Sequence, residues 1–227
     1  GEDNESPEGA YRISKDNIGF ADADAIDGFL YVFEHEEATP HLKGKACKHA
    51  VLLLSVTDDF NQMIEVFRDF AELADENAVR ADTFHRVIEE ITTNLSGDNE
   101  MIRRFLKEAT EIVDESRHFE DHLDLCLARA ENAIKDGDFP TAESILLDRE
   151  KEIQFPPDPN DSRACSAMAT LLITRIEIAH HDRNFDLMFQ LYEKYLKIKG
   201  VRLNNRQAGD VKFVEGLLKL KDRNFVK

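Results

Sequence analysis

The sequence predicts an all-α protein, a right-handed superhelical α-solenoid of tetratricopeptide-like helix pairs with a period of about 40 residues. One observation is a recurring bend. A few polar residues precede an apolar, usually aromatic one at Asp58-Asp59-Phe60, Asp98-Asn99-Glu100-Met101, Asp136-Gly137-Asp138-Phe139, Asp182-Arg183-Asn184-Phe185 and Asp222-Arg223-Asn224-Phe225. Stepping from Phe60 through Met101, Phe139 and Phe185 to Phe225 gives intervals of 41, 38, 46 and 40 residues. A second observation is the three-then-four spacing after the bend: Phe60, Met63, Phe67 and again Phe185, Met188, Tyr192 fall on one helical face. A third is the lack of strand patterning, since β-branched runs such as Ile91-Thr92-Thr93 sit inside 3.6-residue periods. Each bend is able to end one helix and cap the next, its aromatic reaching back into a core. A lone helix pair cannot bury its apolar face, so neighbouring pairs are expected to stack.

Taken in order, residues 1–17 form an acidic, partly disordered N-terminal segment, and 18–227 form the helical-repeat domain. Residues 1–9 have no apolar periodicity and are expected to be disordered, with a short helix over 10–17. The first repeat helix spans 22–35, with Ala25, Phe29, Val32 and Phe33 as its buried stripe. Its partner starts at Thr39-Pro40, an N-cap followed by a proline suited to the first helical position, and turns Leu42, Ala46, Ala50, Leu53 and Leu54 inward. Helices over 59–75 and 79–94 follow, closed by Leu95-Ser96-Gly97. Next come helices over 99–115, 119–136 and 139–153, the last shut off by Phe155-Pro156-Pro157-Asp158-Pro159, which also explains the longer 46-residue interval. A long helix over 161–181 directs Ala164, Met168, Leu171, Leu172, Arg175 and Ile178 to the core, and helices over 184–198 and 206–221 complete the series. Met63, Met168 and Met188 fall on core stripes and read as packing residues.

Of the 227 residues, 42% are hydrophobic and 33% charged, and no run of eighteen apolar residues could span a membrane as a helix. The polar, acidic N-terminus has no signal-peptide pattern. A further repeat opens just before Lys227, so the chain is expected to be a piece of a longer protein. Cys47, Cys126 and Cys165 are odd in number and far apart, which predicts reduced buried thiols and a location in the nucleus and cytoplasm. The net charge of −17 is uneven: residues 1–39 hold eleven Asp or Glu against Arg12 and Lys15, whereas ten Lys or Arg stand against three acids from Lys194 onward. This acidity argues against nucleic-acid binding, and ends of opposite sign suggest surfaces that meet other proteins.

No Gly-rich phosphate loop, Gly-x-Ser-x-Gly elbow or Cys–His pairing signature is present, so no residue is a candidate for catalysis and no metal or cofactor site is expected. His118 and His122 are spaced by four beside Asp121 and Cys126, but no second ligand pair stands at zinc spacing, and they read as surface histidines at a helix start. His180-His181-Asp182 reads as a helix C-terminus. Two basic groups are the candidates for binding. Lys43, Lys45 and Lys48, with His41 and His49, interrupt the most acidic third of the chain. Lys197, Lys199, Arg202, Arg206 and Lys212 span a turn between two helices, where solenoids build contact rims, although Lys197 and Lys199 could equally serve the carbonyls that end a helix.

Several segments resemble the N-terminal helical-repeat region of the COP9 signalosome subunit 2 family, itself similar to a scaffold subunit of the proteasome lid. They are the leader ending Ala10-Tyr11-Arg12-Ile13-Ser14-Lys15, then Asp24-Ala25-Ile26-Asp27-Gly28-Phe29-Leu30-Tyr31-Val32-Phe33-Glu34, Lys45-Ala46-Cys47-Lys48, Asp59-Phe60-Asn61-Gln62-Met63 and Ile102-Arg103-Arg104-Phe105-Leu106-Lys107-Glu108-Ala109, and above all Asn184-Phe185-Asp186-Leu187-Met188-Phe189-Gln190-Leu191-Tyr192-Glu193-Lys194-Tyr195-Leu196-Lys197-Ile198-Lys199. The resemblance implies a non-catalytic PCI-type scaffold whose solenoid contacts other signalosome subunits and grips the cullin and RING subunits of ubiquitin ligases, while a different subunit performs deneddylation. It also implies a PCI module after Lys227, and inositol polyphosphate as a bridging ligand at Lys43, Lys45 and Lys48. The sequence departs from the family at Ala50-Val51-Leu52-Leu53-Leu54-Ser55-Val56, which has no lysine. A proteasome-lid scaffold and a generic tetratricopeptide-like peptide-binding module are the alternatives.

Overall fold

Asp59, Asp98, Asp138, Asp161 and Asn184 each cap a helix with their own side chain, and these caps set where the chain turns. In the computed structural model, which describes residues 6–201 and 203–224, every regular element is a helix. They are α1 (Pro7–Asn17), α2 (Asp22–Glu34), α3 (Pro40–Leu54), α4 (Phe60–Asp75), α5 (Ala81–Leu95), α6 (Asn99–Ile112), α7 (Phe119–Lys135), α8 (Phe139–Glu152), α9 (Ser162–His181), α10 (Phe185–Tyr195) and α11 (Asn205–Asn224). The all-α expectation holds for the described residues, and no described helix is long and apolar enough to cross a membrane.

The chain divides into two compact units, Gly1–His122 and Leu123–Lys227. In the first, packing follows chain order: α1 on α2, α2 on α3, α3 on α4 and α5, α4 on α5 and α6, and α5 on α6. Phe29, Phe67, Phe70, Phe84 and Phe105 lie wholly inside this unit, and Phe67 meets Phe84 at 6.3 Å and Phe105 at 5.4 Å between ring centroids. Two glycines permit close approach. A Cβ on Gly28 would collide with Ser14 of α1, and one on Gly44 would come within 2.8 Å of the Val79 side chain. In the second unit α8, α10 and α11 all pack on α9, whose buried residues, from Cys165 to Ala179, point in several directions. Leu127, Leu146, Met168, Leu172, Met188 and Val214 belong to its core.

Within each unit, side-chain bonds link positions about one interval apart. Asn94 donates to Ser55, Arg104 to Asn61, and Arg117 to the carbonyl of Asp75, at separations of 39, 43 and 42 residues. Lys194 donates to Glu150 and Gln207 to Thr170, at separations of 44 and 37.

Three expectations are corrected. Helix α1 begins at Pro7 rather than residue 10, because Ser6 accepts from Gly9 N at 3.2 Å and Pro7 fits the first helical turn, so residues 7–9 are helical. The bend aromatics do not all enter the core. Phe60 is buried under the Arg104 guanidinium, 4.2 Å from its ring centroid, but Phe185 stays 45% exposed, and Met188 and Tyr192 carry the burial there. Phe139 is only partly buried and stacks on His181 at 3.6 Å. Helix α10 ends at Tyr195, three residues early, which leaves Lys197 in the following turn. Phe225 of the last bend lies outside the described residues.

Candidate functional site

Helix α3 turns Ala46, Cys47, Ala50, Val51 and Leu54 inward, and 3.6-residue geometry then directs Lys45 and Lys48 elsewhere. Lys45 is exposed and Lys48 half-buried. Burial first, and then the like charges of Arg86 from α5, Lys15 from α1 and Lys45, hold the Lys48 ammonium below its ordinary pKa, with Glu90 of α5 opposing. Three helices thus bring four cations and one carboxylate together in a chain of net charge −17. Mutual repulsion of this kind is relieved by an anion.

The other members of this predicted group play different parts. The Lys43 ammonium sits 5.9 Å from the Phe33 ring centroid. His41 is exposed. His49 stacks on Phe29 at 5.1 Å with 22° between planes, and approaches Tyr11 at 5.9 Å. Burial, followed by Lys48 and Lys15, pushes its pKa down to about 4, so at neutral pH it is an uncharged packing ring and not a cation of the site. Lys15 and Arg86 were missing from the sequence-based group because only the fold brings α1 and α5 beside α3.

The second predicted group is split. Arg206 clamps Glu177 of α9 through Nη2, at 3.0 and 2.8 Å to the two carboxylate oxygens, and so joins α11 to α9. Lys199 and Lys212 are exposed, and Arg202 lies outside the described residues. Lys197 is exposed at the edge of a cavity of about 600 Å³ between α8 and α10, which Leu147, Phe155 and Leu191 also line.

Beneath that cavity lies a charge network that the sequence reading did not contain. Arg175, placed on the core side of its helix as expected, has a side chain only 8% exposed. Its Nε and Nη2 donate to Glu143 Oε1 at 3.0 and 2.7 Å, and its Nη1 donates to Glu150 Oε2. Glu150 Oε1 in turn accepts from Lys194 Nζ at 2.6 Å, and that ammonium also lies 5.4 Å from the Phe155 ring centroid. Glu143 Oε2 is buried without a hydrogen-bond partner, so this carboxylate depends on Arg175 for its compensation. A charged residue on an otherwise apolar helical stripe is the signal that could have exposed the network.

The histidines at the start of α7 are not surface residues. His118 pairs with Asp75 at 2.9 Å, its side chain 11% exposed and its ring 4.7 Å from Phe84, while buried His122 meets the Thr110 carbonyl at 3.1 Å. Both contacts lie within the first unit. Among the described residues, no group of three or more His, Cys, Asp or Glu is placed to hold a metal ion. All three cysteines are buried thiols outside any disulfide, as expected, and burial with the nearby Asp69 pushes the Cys47 thiol up to about 12, far from thiolate reactivity. Comparison with known protein families, curated proteins and solved structures finds no match for this chain.

Proposed function

We propose that the chain is a non-catalytic helical-repeat scaffold that holds an acidic partner surface, with Lys15, Lys45, Lys48 and Arg86 forming the contact. The observation that carries this reading is the convergence of those four cations from α1, α3 and α5, against which Glu90 is the opposing carboxylate at Lys48. Association with an anionic surface lowers their mutual repulsion and speeds encounter, whereas in isolation the cluster only costs stability. Within the first unit, bonds between positions about 40 residues apart support repeated helix pairs behind that contact.

In its most specific form, the scaffold is the arm of a COP9-signalosome-type assembly that docks the cullin and RING subunits of a ubiquitin ligase, deneddylation being carried out by another subunit in the nucleus and cytoplasm. Lys15 and Arg86 supply the charge that the lysine-free stretch after Lys48 lacks, which keeps inositol polyphosphate within this reading as a bridge between cluster and partner. The test is affinity capture with the wild-type chain and with Lys45→Glu/Lys48→Glu, read by quantitative mass spectrometry. The wild type is expected to retain cullin and signalosome subunits, and the variant to lose them by about tenfold. Recovery of proteasome regulatory subunits in their place would substitute the lid reading, and equal capture by both proteins would remove the cation cluster from the contact.

A further inference from the structure

We infer that the cavity between α8 and α10 is a second docking site, one that takes a short peptide carrying an acidic side chain next to an apolar one. It lies wholly within the second unit and shares no residue with the cation cluster of the first, so either site can fail without the other.

The apolar part comes from one face of each wall helix. Leu187 and Leu191 stand one turn apart on α10, Leu147 faces the cavity from α8, and Phe155 closes one side from the loop after α8. Leu147 remains 38% exposed, which leaves its side chain open to an occupant of the cavity. A volume of about 600 Å³ falls within the range of ligand-binding clefts and admits a few side chains rather than a helix.

Charge selects the occupant. Lys151, Arg175, Lys194 and Lys197 line the cavity with Glu150 and Glu193; Arg175 and Lys194 are engaged by Glu143 and Glu150 and Lys151 by Asp148, which leaves the exposed Lys197 to meet an incoming carboxylate. Arg175 and Glu150 are held in the buried network and fix the floor. At the rim, the Lys151 pair with Asp148 is solvent-exposed on both sides, so it competes weakly with an incoming carboxylate. Lys197, exposed in the turn after α10, and Lys194, which already bridges Glu150 and the Phe155 ring, stand three positions apart. A peptide carboxylate reaching Lys197 and Lys194 would set its neighbouring apolar side chain against Leu147 and Leu191. A basic peptide would meet repulsion at the same rim.

Panning a random dodecapeptide phage library against the immobilised chain tests the inference, followed by fluorescence anisotropy of a labelled synthetic copy of the most enriched peptide. Enriched sequences are expected to pair Asp or Glu with an adjacent Leu, Ile or Phe. Lys197→Glu and Leu147→Ser, both at exposed positions outside the buried network, should each weaken binding by about fivefold to tenfold, while Lys45→Glu/Lys48→Glu binds like the wild type. Thermal melts of both variants, expected to match the wild type, confirm that the fold persists. Absence of enrichment, a basic consensus, or affinity unchanged by both substitutions would overturn the proposal.

Discussion

The two units bury different chemistry. In the first, the largest wholly buried side chains include five phenylalanines, and their rings interlock between helices that pack in chain order. In the second, no phenylalanine among the described residues is fully buried, and Leu146, Met168 and Leu171 fill a core arranged around α9. A helix packed on several sides has few positions left for polar residues, and Arg175 lands inside, where it requires Glu143 and Glu150. In the first unit Lys15, Lys45 and Arg86 act as like charges on the half-buried Lys48, whereas in the second the buried Arg175 is paired with two carboxylates. Ring-filled seams are held by shape; a charge-centred core is held by compensation. The two should therefore respond oppositely to truncation and to neutralisation.

The largest effect is expected in the aromatic seam. Phe67→Ala removes a ring that touches both Phe84 and Phe105 and should cost about 4 kcal/mol by urea denaturation, while Phe67→Leu costs under half of that. Equal losses from the two would show that ring shape is not what holds the first unit.

In the second unit, Arg175→Met leaves the Glu143 carboxylate, with its buried Oε2, without a cation and Glu150 with Lys194 alone, and should cost about 3 kcal/mol. Adding Glu143→Gln and Glu150→Gln should recover most of that loss, since neutral amides need no counter-charge. If the triple variant is no more stable than Arg175→Met alone, the deficit comes from lost packing and the contrast between the units fails.

What could be read in the sequence follows the same division. Helix positions were legible because the bends carry their own caps: Asp59, Asp98, Asp138 and Asn184 each accept from an amide inside the next helix. A cap is a local interaction, visible within four residues. Core stripes were legible for the same reason, through Met63, Met168 and Met188. The cation cluster was only half legible. Lys45 and Lys48 lie on one helix, but Lys15 and Arg86 join them through packing that no local pattern encodes. His49 looked like a member by proximity in sequence, yet one position past Lys48 the helix has rotated by about 100°, and its ring faces Phe29. Arg175 was placed on the core side, but its acids stand 32 and 25 residues upstream, beyond the reach of helical periodicity.

A cap common to several repeats permits a finer comparison. Asp98 accepts from the amides of both Glu100 and Met101 at 3.0 Å, whereas Asp138 accepts from Thr141 alone, at 3.2 Å. Asp98→Ala should cost about 1.5 kcal/mol and Asp138→Ala about 0.5 to 1 kcal/mol by chemical denaturation. Amide exchange in the first turn of α6 should rise for Asp98→Ala. Reversal of that order would mean that the ends of α6 and α8 are fixed by tertiary packing rather than by their caps.

The smallest effect distinguishes the units by pH. His49 has an ordinary pKa of 6.5 when unfolded and about 4 in the folded chain, lowered by burial against Phe29 and Tyr11 and by the charges of Lys48 and Lys15. Above pH 6.5 the ring is neutral in both states and contributes no pH dependence. As pH falls below 6.5 the unfolded chain takes up a proton that the folded chain refuses, so stability declines until the pH approaches 4, after which both states are protonated and the loss is constant. Because the ring retains solvent contact, the loss should be about 1 kcal/mol or less, well under the value of a fully buried group. His49→Phe keeps the stacking and removes the proton site. Thermal melts between pH 7 and 4 should show a shallower decline for this variant than for the wild type, with carboxylate titration common to both. Parallel curves would show that His49 titrates in the folded chain as it does in the unfolded one, so that it would join Lys15, Lys45, Lys48 and Arg86 as a fifth cation below pH 6.5.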